Sequence, residues 1–212
     1  MESKKDEKDK FNFLVEEALE LGAKEAKVIP ASYIVVENRV ALKCRSGCIN
    51  YGRKLMCPPN VPTPDEFRKI AGEYSYALLV KFGVSANVDS GTVMSIYKNW
   101  LDPDLDGEKK ERAENFWKEY GEESMHILPA MLELEKKAFN NGYTLAIALA
   151  NDSCRLCREC NIKGGVCRYP SLARIPEHAM GVNMKKTSEN AGMPIKFPFV
   201  ESPDIMALLL ID

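Results

Sequence analysis

Seven cysteines fall into two groups, and their spacing points to metal chemistry. The later group, Cys154, Cys157, Cys160 and Cys167, follows the pattern C-x2-C-x2-C-x6-C. Two-residue gaps let successive thiolates curl around one centre, and Gly164 and Gly165 give the return to Cys167 its freedom in φ. Thiolates this close repel one another, so a metal or cluster is the natural reason for them; unrelated buried thiols do not bunch this way. Three cysteines at two-residue gaps are the local mark of iron–sulfur ligation, whereas structural zinc more often pairs two knuckles across a longer stretch. Iron–sulfur is the expectation, with zinc the alternative. The earlier group, Cys44, Cys48 and Cys57, is spaced C-x3-C-x8-C in a loop bent at Gly47 and Gly52 and stiffened by Pro58 and Pro59. Its gap of eight does not suit a radical-generating C-x3-C-x2-C site.

The thiols divide in more than one way. In a local division, Cys154, Cys157, Cys160 and Cys167 complete one [4Fe-4S]-type cluster, and Cys44, Cys48 and Cys57 hold a second through three irons. The fourth iron would then be open to water, substrate or another side chain, and an open metal site can act as a Lewis acid. In a second division, Cys57, followed by Pro58, completes the set of Cys154, Cys157 and Cys160, because ferredoxin-type sites take a remote Cys-Pro as fourth ligand. That leaves Cys44, Cys48 and Cys167 for the other cluster. A third has one cluster and spectator thiols. Both two-cluster divisions bring the two stretches close together, at the ends of neighbouring strands.

Arg45, Arg53, Lys54, Arg155, Arg158, Arg168 and Arg174 lie close to the cysteines in sequence. Cations there would stabilise a reduced, anionic cluster, or would be ordinary surface charges. Tyr51 and Tyr169 would shield a cluster or belong to a core. Of the two histidines, His178 is a candidate fourth ligand or proton donor, and His126, in an acidic helical stretch, is a weaker one. No Gly-rich phosphate loop, nucleophile elbow or H-E-x-x-H motif is present in the sequence.

The elements that must position these thiols read as α/β, with a mixed or parallel central sheet flanked by helices and the cysteine-rich loops at strand ends. Helices are expected over Phe11 to Leu21, Thr63 to Ala71 behind a capping box, Glu108 to Lys118 with an interruption at Gly121, Ser124 to Phe139, Pro176 to Val182 and Lys185 to Asn190. Strands are expected over Ala26 to Ile29, Tyr33 to Val36, Val40 to Lys43, Tyr76 to Phe82, Tyr143 to Leu149 and Ile205 to Ile211. Val93 to Trp100 fits a short helix or strand, with a turn at Leu101 to Asp104.

The 212 residues, 45% hydrophobic, suffice for one core: a domain from residue 11 to 212 behind a charged tail, residues 1–10, that lacks the apolar stretch of a signal peptide. A net charge of −2 argues against a generic nucleic-acid binder, and no apolar run reaches the roughly 18 residues of a membrane span. An odd, bunched set of cysteines argues against a disulfide framework and for a reducing cytoplasm.

The stretch A-L-K-C-R-S-G-C-I-N-Y-G-R-K-L-M-C-P-P with the following T-P-D-E-F, together with C-x2-C-x2-C-x6-C continuing as R-Y-P-S-L-A-R, resembles a family of uncharacterised, predicted metal-binding proteins of anaerobic prokaryotes. The resemblance runs from about Ala26 onward and implies metal binding by all seven cysteines. Relatives tend to continue R-P-S-M-E-A where this chain has Arg174-Ile175-Pro176-Glu177-His178-Ala179. Together these readings give an iron–sulfur protein with two clusters, acting in electron transfer with a redox partner protein, and able to form a homodimer. The alternatives are an enzyme binding a small molecule at an open iron and a zinc-held interaction module.

Overall fold

The structure, a computed structural model, describes residues 10–85, 106–196 and 203–212. The charged tail up to residue 9, the readings for Val93 to Trp100 and the turn at Leu101 to Asp104 lie outside them.

Among the described residues, four strands form one sheet: β1 (Glu25–Pro30), β2 (Tyr76–Gly83), β3 (Ile147–Leu149) and β4 (Asp204–Leu210), in the order β1-β2-β4-β3. Every pairing is antiparallel, with Val28 opposite Leu78, Leu79 opposite Leu208 and Leu149 opposite Leu208 on the other side. The expected mixed or parallel sheet is therefore corrected to an antiparallel one. A continuously apolar strand such as Tyr76 to Phe82 reports only that both faces are covered, and coverage has no direction.

Both faces are indeed covered. Leu78, Val80 and Phe82 of β2 and Ile205, Ala207 and Leu209 of β4 pack on one side against α1 (Asn12–Glu20) and α5 (Ile127–Asn140), through Leu14, Ala18, Met131, Leu134 and Ala138. Ala77 and Leu79, with Met206, Leu208 and Leu210, face Phe67 and Ala71 of α3 (Pro64–Ala71) and the 3-10 turn Glu177–Met180. Burial of each large side chain contributes ~1.5–3 kcal/mol before ordering costs. The capping box forms as its sequence predicts. The Thr63 hydroxyl accepts from the Glu66 amide at 3.3 Å, and the Glu66 carboxylate accepts from the Thr63 amide at 2.7 Å.

Other boundaries shift. Val40–Arg45 is a helix, α2, not a strand; its residues V-A-L-K-C-R are mostly good helix formers. Ala31–Tyr33 is a 3-10 turn, after which Val36 bridges Val182. Only Ile147–Leu149 of the expected Tyr143–Leu149 strand pairs, because Tyr143 and Ala146 close a turn first. The 3-10 turn Glu177–Met180 replaces the helix expected over Pro176 to Val182, and α6 (Met184–Asn190) stands close to its expected place. Pro129 sits in the first turn of α5, where a missing N–H costs nothing. Helix α4 (Gly107–Glu123) runs straight through Gly121. A Cβ there would stand 2.6 Å from the Arg155 guanidinium, which donates to the Gly121 carbonyl at 3.3 Å. The glycine makes room for the arginine. Among the described residues no helix is long and apolar enough to cross a membrane.

Candidate metal centre

Two irregular segments carry the thiols. The first leaves α2, whose last turn holds Cys44, and runs through Cys48 and Cys57 to the N-cap of α3. The second leaves β3 at Ala150 and returns at Ile175. Only the second therefore starts from a strand end, as expected of both.

One stretch, residues 175–183, anchors them both. Ala150 donates to the Ile175 carbonyl at 2.9 Å and accepts from the Glu177 amide at 3.1 Å, which pinches the base of the second segment. Further along, Glu37 donates to Gly181 at 2.8 Å and Asn183 to Val35 at 2.7 Å, fixing the chain that leads into α2. Gly181 has φ +87°, and a Cβ there would lie 2.7 Å from the Pro64 side chain, so only glycine fits this crossing. A bidentate ion pair from Arg174 to Glu135 of α5 ties down the exit of the second segment, and Glu135 also accepts from the Ala148 amide at 2.7 Å.

The segments then meet. The Asn50 amide group donates to Ser153 Oγ at 3.2 Å, Lys54 Nζ to the Cys154 carbonyl at 2.5 Å, and the Leu55 amide to Cys160 Sγ at 3.4 Å. Cys154, Cys157, Cys160 and Cys167 all line one cavity of about 20 Å³, closed on its other side by Lys54, Leu55 and Met56. Within the second segment, the Tyr169 amide donates to Cys167 Sγ at 3.4 Å. Cys44 and Cys57 are buried and Cys48 is exposed. Cys57 is not among the residues lining the four-thiol cavity; its cysteine neighbours are Cys48, Cys44 and Cys154.

Burial holds three of the thiols, Cys44, Cys57 and Cys154, in the protonated form. Burial pushes Cys57 up to about 11, against the pull of Lys54 and with help from Cys48, Cys44 and Cys154. Burial also raises Cys44, aided by Cys48. It raises Cys154 too, although the Leu156 amide and Lys54 oppose the shift. Among the described residues, no three His, Cys, Asp or Glu side chains stand close enough to share a single ion. Sulfurs that ligate a four-iron cluster each meet a different iron and stand further apart than ligands of one ion. The donor set, soft thiols with N–H groups aimed at two of the sulfurs, fits such a group.

Residues 27–211 match the model of a family described as predicted metal-binding protein (DUF2284). The chain belongs to this family. No curated protein and no solved structure matches the chain. The DUF2284 description names neither a metal nor a reaction.

The other candidates separate. Burial keeps His178 below the ordinary imidazole range; its charged neighbours are Asp152, which opposes the shift, and Lys43. His126 is exposed and packs edge-on against Phe82. Tyr51 and Tyr169 are exposed, so neither is a core aromatic. Arg155 pairs with Asp152, Arg168 donates to the Glu159 carbonyl at 2.7 Å, and Arg174 belongs to the anchor. Arg45, Arg53 and Arg158 are exposed and have no acidic partner among the described residues.

Sequence reasoning missed a buried polar group beneath the second segment. Glu177 is 5% exposed, and one of its carboxyl oxygens has no hydrogen-bond partner; nor has the buried Asn151 side-chain nitrogen. Burial raises Glu177 to about 8, and nearby Asp152 adds to the rise. Burial likewise raises Tyr120, helped by Asp152 and Glu177. A second, largely apolar cavity of about 610 Å³ opens between α5 and the second segment, reaching Leu128, Leu132, Asn151, Arg155 and Cys154.

Proposed function

We propose that this DUF2284 member is a cytoplasmic iron–sulfur protein that holds two [4Fe-4S]-type clusters and passes single electrons. The observation that carries the reading is the convergence of Cys154, Cys157, Cys160 and Cys167 on one cavity, with the Leu55 amide of the other segment aimed at Cys160 Sγ. Irregular segments of this length are uncommon inside a domain unless they do something, and holding a cluster gives both a reason to be ordered. When bound, such clusters supply one-electron transfer at a potential set by charge, burial and hydrogen bonds to sulfur.

The chain's own residues set those conditions. Cys154, Cys157, Cys160 and Cys167 would hold one cluster, and Cys44, Cys48 and Cys57 the other, the division that the cavity lining favours. The Leu55 and Tyr169 amides donate to sulfur and so favour its anionic form. Lys54 places a cation beside Cys57 and Cys154 while fastening one segment to the other. Burial of Cys44 and Cys57 keeps water from that side.

Iron and acid-labile sulfide analysis of anaerobically purified protein tests the reading. The preparation should be brown and reversibly reduced by dithionite, and Cys48→Ala should remove about half the iron if the clusters divide as proposed. A colourless protein with stoichiometric zinc would refute it, and unchanged iron in the variant would refute ligation by Cys48.

A second reading, an enzyme, has its own observation: the cavity of about 610 Å³ adjoining Cys154 has the size and apolar character of a small-molecule site. It requires that a small thiol or carboxylate perturb the visible spectrum of the loaded protein.

A further inference from the structure

The two cysteine segments differ in charge from the rest of the chain. Residues 40–60 contain four Lys or Arg and no Asp or Glu; residues 151–174 contain five and two. The segments therefore carry +7, and since the whole chain has 29 basic and 31 acidic residues, the remainder carries −9. Lys43, Arg45, Arg53, Arg158 and Lys163 are exposed and have no acidic partner among the described residues. These cations are thus available to something outside the chain.

The same segments present apolar surface. Leu42, Ile49, Tyr51, Val166, Tyr169 and Leu172 are six of the fourteen large hydrophobic side chains that are exposed among the described residues. Leu42, Ile49 and Val166 are 57%, 54% and 67% exposed. Apolar groups with a charged surround are the make-up of a protein-docking face.

We propose that this face docks a small acidic electron-carrier protein, delivering its electron at the thiol segments; the inference rests on the electron-transfer reading and names its partner. Charge complementarity selects the occupant. A second copy docking through a two-fold axis would set this basic face against itself. Nucleic acid would use the cations and stack on Tyr51 and Tyr169, but would gain nothing from the exposed aliphatic Leu42, Ile49 and Val166. An acidic protein uses both. In the step itself one electron leaves the reduced carrier, which is oxidised, and reduces the chain's bound cluster; no bond is made and no proton moves.

The test uses the iron-loaded protein with a reduced, acidic [2Fe–2S] ferredoxin as probe, and basic cytochrome c as the control. Binding is read by calorimetry and transfer by stopped flow. The second-order rate from the ferredoxin should fall at least roughly tenfold between low and ~0.3 M salt. Lys43→Glu combined with Lys163→Glu should weaken binding and slow transfer by a similar roughly tenfold factor at low salt, with iron content and dithionite reduction unchanged. Three results would each overturn the inference while leaving the electron-transfer reading intact: no salt dependence, equal calorimetric affinity for cytochrome c, or dithionite reduction without ferredoxin binding. Tighter binding of single-stranded RNA than of ferredoxin, or self-association through these lysines, would also overturn it. If dithionite itself fails to reduce the protein, the electron-transfer reading falls, and calorimetry alone then decides whether the acidic partner docks.

Discussion

Replacing Glu177 by Gln should change how stability depends on pH. The Glu177 carboxyl is buried with Asp152 nearby, and burial raises it from 4.5 to about 8. An acid that keeps its proton in the fold but loses it on unfolding contributes its full share of stability below pH 4.5. That share falls as pH climbs, because the unfolded chain gains by ionising, and the loss ends near pH 8, where the folded group also ionises. The interval corresponds to a ceiling of roughly 5 kcal/mol, and relaxation of the site brings the expected effect to ~2–4 kcal/mol. Gln cannot ionise, and its amide inherits the same unpartnered position, so the variant lacks this term. Guanidinium unfolding of both proteins at pH 5, 6, 7 and 8 isolates it, since groups that do not feel Glu177 contribute equally to both and cancel in the difference. The variant should gain on the wild type steadily from pH 5 to 8. A difference that stays flat over that range would refute the assignment of a protonated, buried Glu177.

Glu135→Ala strands the Arg174 guanidinium, whose side chain is only 13% exposed, and removes the acceptor for the Ala148 amide. It should cost ~2–4 kcal/mol in chemical denaturation, and adding Arg174→Met should recover part of the loss. Metal uptake should release protons, because the raised Cys57, Cys44 and Cys154 thiols are neutral in the metal-free fold at neutral pH. Loading should therefore strengthen from pH 6 to 8, with release read by an indicator dye in weak buffer; loading without release would exclude thiolate ligands.

Local chemistry was legible in the sequence. The Thr63–Glu66 capping box, the buried strands β2 and β4 and the two thiol groups all rest on residues near one another in the chain. Features that depend on topology were not. Strand direction went wrong because Leu78 and Leu79 face two covered layers, whichever way β4 runs. Gly121 read as a helix break because Arg155, which needs its space, lies far along the chain. Glu177 falls in the stretch read as a helix over Pro176 to Val182, and its burial at the root of the second segment depends on the distant partner Ala150. The basic face was visible as scattered arginines and acquired meaning once the Asn50, Lys54 and Leu55 bonds brought the segments together.

The anchoring role of residues 175–183 also dictates an order of events at the ribosome. Cys44, Cys48 and Cys57 are translated well before the stretch that will hold their segment against its neighbour. β4, an interior strand of the sheet, follows every other described strand in the chain. While the nascent polypeptide is emerging, the early sulfurs lack the segment that will close against theirs, and the sheet lacks an interior strand. A metal held by both segments would therefore find its site whole only once β4 has been made.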